Sequence, residues 1–348
     1  MSKIRVAVIG AGWFAAQNHI PVLQGRDDVI LDGVSRLGAA ELARVRDHFG
    51  FAFASQDFRE VLARKPDAVI VASPHHLHHE HAHAALEAGA HVLCEKPMTV
   101  KPAHAWDLVA TAKRLGRHLL VANGYHYLPR LDEIRQALLE GAVGHIQHVV
   151  CHFASATLPV FKGSTGFRRW QTTFFRPAVE TWQDPARGGG FAYGQLSHSV
   201  ALLLWLTDLR ARDIAARVRG DAGIDLYDAA TVSFENDAIG VIAGAPSVPE
   251  EGRARLRLSI SGDAGILDLD VDLDRCEIER HDGGRQLITP APAQWLYKCD
   301  GPVHRLIELA RGEVRENLSP GDIGARSVEL IEAMLRSAAA DGSVTAIR

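Results

Sequence analysis

At 348 residues, with 47% hydrophobic and 23% charged side chains, the chain has the composition of an ordinary globular protein and the length of two domains. A net charge of −4 excludes a general nucleic-acid binder, which concentrates basic charge on one surface. No apolar run reaches about 18 residues, so no membrane partner or span is expected.

The first ten residues, MSKIRVAVIG, enter a strand pattern without a signal-peptide cleavage site, and a cytoplasmic protein is expected. Residues 4–9, IRVAVI, are apolar and β-branched, as in a strand buried on both faces. GAGWFA follows, then a helix pattern through about Leu23, the strand VILDGVS and the helix AAELARVRDHFG, closed by Gly50. The rhythm repeats through AVIVAS, a helix over 77–88, HVLCE, a helix over 102–115 and HLLVAN. Strands alternating with helices of this length predict βαβ units in a doubly wound parallel sheet, a Rossmann-type domain over residues 1–123.

A different pattern occupies 124–348. A helix around 130–140 precedes the strand HIQHVVCHFA, and residues 157–190 are rich in Gly, Pro, Trp and Phe without a period, as binding loops are. An apolar helix over 191–206 leads into the short strands AATVSF, AIGVIAG, RARLRLSISG and GILDLDV, which predict a mostly antiparallel sheet. Helices near 302–311 and 321–338 close the chain, and the fold class is α/β throughout. Cys94, Cys151, Cys276 and Cys299 lie far apart with no C-x-x-C pair, which suits reduced thiols.

Between the first strand and helix, Gly10, Gly12 and Ala15 form G-x-G-x-x-A around Trp13 and Phe14. The first Gly permits a tight turn, the second lets backbone approach a pyrophosphate, and the small third residue lets helix and strand pack. The helix N-terminus offers N–H groups to the anion, so these five residues are expected to bind a dinucleotide. An NAD site ends the second strand on Asp or Glu for the ribose 2′-hydroxyl. Here Ser35 and Arg36 stand there, and a guanidinium suits a 2′-phosphate. NADP(H) is favoured; Asp32, acting from a slightly earlier register, would serve NAD(H) instead.

His79, Glu80 and His83 spell H-E-x-x-H, a zinc-protease signature. They fall on a helix of the βαβ series with no evident third ligand, so no metal site is expected.

The surrounding stretch, ASPHHLHHEHAHAALEAGAHVLCEKPMT, resembles the T-P-N-x-x-H-x-E…A-L-x-x-G-x-H-V-x-x-E-K-P segment of the Gfo/Idh/MocA oxidoreductases. HYLP (126–129), WQDPARGGG (182–190) and LSH, ending at His198, extend the resemblance along the chain. It implies that 124–348 is an α/β domain for substrate binding and oligomerisation, whose large open sheet supports a homodimer or homotetramer. It also implies a small-molecule carbohydrate substrate: a sugar, a polyol or a derivative. The nicotinamide is expected near Ser73, Pro74, His78 and Glu95, with His75 replacing the family's Asn.

Lys96 is the first candidate for catalysis. Only seven of the 38 basic residues are lysine, and a lysine beside a nicotinamide can polarise a carbonyl or, if buried, lose its proton. His198 is the second candidate acid or base. The family pattern G-G-G-x-x-x-D-x-G-x-H departs here, with Gly194 at the Asp position and Leu196 at the second Gly. Tyr125, His126, Tyr193 and Gln195 are candidate substrate contacts, and Trp182 with Arg168 and Arg169 could line a sugar pocket. The expected activity is NAD(P)-dependent oxidoreduction of a CH–OH group. Two alternatives stay open: glycoside hydrolysis with a recycled cofactor, and a non-catalytic dinucleotide-sensing regulator.

Overall fold

The computed structural model describes residues 2–164, 174–176 and 178–347. The chain forms two compact units, neither made from one run of sequence. The first comprises Met1–Gly124, Arg169–Thr181 and Lys298–Ala325; the second comprises Tyr125–Arg168, Trp182–Tyr297 and Arg326–Arg348. Among the described residues no helix is long and apolar enough to cross a membrane.

The first unit is built on six parallel strands: β1 (Ile4–Ile9), β2 (Val29–Ser35), β3 (Phe53–Ser55), β4 (Ala68–Val71), β5 (His91–Cys94) and β6 (Leu119–Val121). Their order is β3-β2-β1-β4-β5-β6. The chain therefore reverses its direction of growth at β1, and the carboxyl ends of β1 and β4 flank the point where such sheets bind ligands. Every residue of β4 is buried, as a strand covered by helices on both faces requires. Val6, Val8, Ile70 and Leu93 form the core with Val303, Leu306 and Ile307 of the late helix Asp300–Ala310. Gly50 ends the helix Ala39–Phe49 in the left-handed conformation, which glycine adopts without steric cost. The expected helix through Leu23 is resolved more finely, as a π-helical turn Ala15–His19 continued by Ile20–Gln24. β3 and the helix Phe58–Leu62 were not foreseen, being too short to show a period.

In the second unit nine strands form one sheet. They are β7 (Ile146–Ala154), β8 (Ala211–Asp221), β9 (Ile224–Phe234), β10 (Ile239–Ala245), β11 (Arg255–Gly262), β12 (Gly265–Asp270), β13 (Arg275–Arg280), β14 (Arg285–Ile288) and β15 (Thr345–Ala346). Their order is β14-β13-β12-β11-β7-β10-β9-β8-β15. All neighbours are antiparallel except β7 and β10, which run parallel with His148 opposite Ile239. A π-helical turn, Ala192–Leu196, continues into the helix Ser197–Thr207, all of whose residues are buried. Its all-round apolar surface explains that burial, and it packs on β7 and on the helix Leu131–Leu139.

Candidate active and cofactor-binding sites

The phosphate loop sits at the carboxyl end of β1. Gly10 has φ +83°, and a Cβ there would overlap the backbone of Ser73, at the end of β4. The loop is tied to β2 by the Gly10 and Ala11 N–H groups, which donate to the Ser35 carbonyl at 2.8 and 3.1 Å. At Gly12 the reverse holds. A Cβ would meet nothing nearer than the Gly10 carbonyl oxygen at 3.9 Å, which leaves the space a pyrophosphate needs. The helical turn beginning beyond Phe14 has no side-chain cap, so its first N–H groups suit an anion. These features fit a dinucleotide. Trp13 and Phe14 stand edge to face at 5.5 Å, and Ala15 is fully buried beneath the loop.

Beyond β2, Arg36 donates through Nη1 to the Ala11 carbonyl at 3.3 Å and through Nε to the Leu37 carbonyl at 3.1 Å. Asp32 is engaged elsewhere. Arg5 holds one carboxylate oxygen at 3.0 Å and Arg64 the other at 2.8 Å, in a carboxylate that is almost completely buried.

The E-K-P segment leaves β5 and is held from two sides. His78 is wholly buried, with Nδ1 2.8 Å from the Pro97 carbonyl and Nε2 2.7 Å from the Ser73 carbonyl. It thereby links the turns that follow β4 and β5. Burial pushes its pKa below the usual imidazole range, against the pull of those two carbonyls. His75 packs beside it at 5.7 Å between ring centroids, and Pro74 leads the 3-10 turn His75–Leu77. The Ser73 hydroxyl meets His81 Nδ1 at 2.9 Å, and burial takes His81 down to about 4.

Glu95 Oε1 lies 2.7 Å from His19 Nε2, while its other oxygen accepts the Lys96 backbone N–H at 3.0 Å. The Lys96 peptide to Pro97 is cis. The Lys96 side chain is buried, and burial lowers its pKa from the ordinary lysine value, opposed by the charge of Glu95. His19 was missed by sequence reading; its only signal was a position one turn beyond the phosphate loop.

His79 and His83 do not form a metalloprotease site with Glu80. His79 bonds Asp107 at 2.7 Å and stacks on His104, while Glu80 points to Arg59 at 2.8 Å. Among the described residues no group of three or more potential ligands is placed to hold a metal.

In the second unit, His198 is buried among aromatic rings: Tyr297 at 5.0 Å, Tyr125 at 5.7 Å and Phe153 at 6.1 Å between centroids. Tyr297 is a further residue that sequence reading did not single out. His126 is buried and stacked on Trp205 at 4.8 Å between ring centroids. Tyr193 is buried, and its pKa is pushed up by burial, then by the charges of Glu332 and Asp225, the opposite of what a proton donor needs. Gln195 is half-buried while its neighbours are buried, so it is the residue of this turn with an accessible side chain.

Gly194 has a physical reason to lack a side chain. A Cβ there would lie 3.1 Å from Trp182 Cζ3 and 3.2 Å from Phe161 Cζ, so two aromatic rings occupy the space of the family's Asp. Upstream, the Asp184 side chain accepts the Ala186 N–H at 2.9 Å and starts the turn Pro185–Arg187. Gly190, at φ +102°, lies where any Cβ would overlap the Asp225 carboxylate, and that carboxylate accepts the Ala192 N–H at 2.6 Å. Arg168 and Arg169 lie outside the described residues.

A glycine-rich loop on a doubly wound sheet, with a buried lysine on the E-K-P turn, defines a dinucleotide-binding oxidoreductase class. Residues 4–123 match the model of the oxidoreductase family with an NAD-binding Rossmann fold, and 131–268 match the Gfo/Idh/MocA C-terminal domain. The chain belongs to the Gfo/Idh/MocA oxidoreductase family.

It is 36% identical over 148 residues to D-glucoside 3-dehydrogenase of Escherichia coli K12, covering 42% of each chain. It is 26% identical over 237 residues to glucose-6-phosphate 3-dehydrogenase of Bacillus subtilis, covering 68% of this chain and 55% of the relative. The chain thus spans about half the length of these curated relatives. The fold is shared with an oxidoreductase domain protein from Kribbella flavida (TM-score 0.81, 21% identity) and with levoglucosan dehydrogenase in complex with NADH and levoglucosan (0.78, 18%). Each of these comparisons covers 100% of both chains.

Proposed function

We propose that the protein transfers hydride between a nicotinamide dinucleotide and a CH–OH carbon of a sugar, polyol or sugar derivative. The observation that carries this reading is Lys96, a buried lysine whose pKa is lowered on the turn that follows β5 of a dinucleotide-binding sheet. A bound nicotinamide supplies the hydride chemistry; the protein must move a proton to or from the substrate oxygen. Lys96 can do so because burial favours its neutral form, and His198 is the second proton-handling group. Glu95, held by His19, fixes the Lys96 turn.

Gly10, Gly12, Trp13, Phe14 and Ala15 cradle the pyrophosphate, and Ser73, Pro74, His75 and His78 shape the nicotinamide end. NADP(H) is preferred over NAD(H), because Ser35 ends β2 and Arg36 follows it while Asp32 is committed to Arg5 and Arg64. The cofactor site is drawn from residues 1–123, and 124–348 supply the carbohydrate contacts through Tyr125, His126, Trp182, Tyr193 and Gln195. We place the enzyme in the cytoplasm as a homodimer or homotetramer, with a small-molecule carbohydrate as its partner. Relatives named as sugar dehydrogenases support the substrate class.

A second reading rests on Gly194. With no carboxylate at the family's Asp position, transient oxidation could serve elimination and rehydration of a glycoside, with no net redox change. The test follows reduced-cofactor absorbance with NADP or NAD across sugars, polyols and glycosides, using native protein and Lys96→Ala. A Lys96-dependent rise supports the dehydrogenase; a flat trace with cleaved glycoside replaces it with the hydrolase. Dinucleotide binding without turnover of any substrate would leave the regulator.

A further inference from the structure

Residues far from the nucleotide-binding sequence converge on the end of β2. The Arg36 guanidinium carbon lies 4.0 Å from the ring centroid of Phe175. Arg44, on the helix Ala39–Phe49, lies 4.2 Å from Phe174 and 5.6 Å from Phe175. The two rings meet edge to face at 4.8 Å, and Phe174 is anchored against His48 at 4.9 Å and Phe49 at 5.5 Å. Both phenylalanines pack against the core of the first unit.

This arrangement fixes Arg36 beside the phosphate loop and holds a second cation, Arg44, against the same aromatic pair. An aromatic ring over one face of a guanidinium leaves its in-plane N–H donors available, and those donors bind phosphate oxygens in a fork. Arg36 is already tied to the loop through the Ala11 carbonyl. Burial lowers its pKa, and Glu41 supplies the acidic charge that partly offsets this. Arg44 brings a second positive charge to the same aromatic pair.

We infer that Phe174 and Phe175 form a clasp that positions Arg36 and Arg44 as a two-arginine receptor for the 2′-phosphate of an adenine dinucleotide. Cofactor choice is then set partly by a segment outside residues 1–123. The inference rests on the NADP(H) preference proposed above.

The test is calorimetric titration of the full-length protein with 2′,5′-ADP and with 5′-AMP, which share every group except the 2′-phosphate. Native protein is expected to bind 2′,5′-ADP at least about tenfold more tightly, a difference of one good charge-assisted contact. Phe175→Leu should cut that preference about fivefold by weakening 2′,5′-ADP alone, the scale of a lost cation–π contact. Phe175→Tyr should restore it, and Arg36→Ala should remove most of it. Equal binding of the two probes by native protein overturns the NADP(H) reading and the clasp with it. A native preference that Phe175→Leu leaves intact, or a loss that falls equally on both probes, overturns the clasp alone. Native-like far-ultraviolet circular dichroism of each variant verifies that it is folded.

Discussion

His19 and Glu95, 76 residues apart in sequence, meet at 2.7 Å with both side chains buried. The contact joins the helical turn after the phosphate loop to the turn that carries Lys96, so one bond ties that loop to the placement of the candidate catalytic residue. His19→Ala leaves a buried carboxylate short of a partner. It should cost about 2 kcal/mol of stability and weaken dinucleotide binding, while His19→Gln, which can still donate, should recover most of both. Thermal unfolding with and without cofactor decides this; a His19→Ala protein as stable as the native one would sink it.

Lys96→Ala should lower kcat by about 10²–10⁴, the range of a lost general acid or base, with dinucleotide affinity nearly unchanged. For sugar oxidation the lysine must be neutral, so activity should rise with pH as Lys96 loses its proton. Because burial lowers its pKa, that rise should fall below the ordinary lysine range. Lys96→Arg should not rescue, since a guanidinium keeps its proton. A pH–rate profile that Lys96→Ala lowers without changing in shape would argue against proton transfer through this group.

Restoring the family's carboxylate should harm this protein. Gly194→Asp drives a Cβ towards Trp182 and Phe161, and overpacking of this kind costs about 1–3 kcal/mol. No dehydrogenase activity should be gained. Gly194→Asp combined with Trp182→Ala should lose less stability than the two single costs added, because the clash is shared. Additive melting data would show instead that the ring and the new side chain do not meet.

Asp225 and Asp228 are buried together. Burial, then the charge of Asp225, holds Asp228 well above the usual carboxylate range, and burial also raises Asp225. A carboxylic acid whose folded pKa lies above its unfolded value of about 3.9 binds more protons when folded. Stability attributable to Asp228 should therefore be intact below about pH 4, decline as pH rises above it, and level off beyond the folded pKa. Asp228→Asn removes that proton and should flatten the decline, raising the melting temperature at neutral and alkaline pH. Parallel native and variant curves across the range would contradict this.

The first sheet was legible because its strands are apolar runs and its helices are long enough to show a period. The phosphate loop was legible because glycine at 10 and 12 answers two separate geometric demands. The strand β3 and the helix Phe58–Leu62 carry too few residues for either pattern. Lys96 stood out by type and setting, but its partner's partner, His19, did not, since contact across 76 residues leaves no mark on local sequence. Tyr193 read as a candidate because its neighbours matched a motif; its burial is a property of packing that spacing does not convey. Phe174 and Phe175 sat in an aperiodic stretch that read as substrate loop, whereas they pack against the core of the first unit.

The helix Asp300–Ala310 contributes Val303, Leu306 and Ile307 to the core built on the first strands. During synthesis the N-terminal sheet therefore emerges long before the segment that covers it. Chains normally complete their domains in order from the N-terminus; here the earliest unit must wait for nearly the last residues. A fragment ending near residue 123 would present that uncovered apolar surface to water. Only translation through the late helix supplies Val303, Leu306 and Ile307 to the core of the nucleotide-binding half.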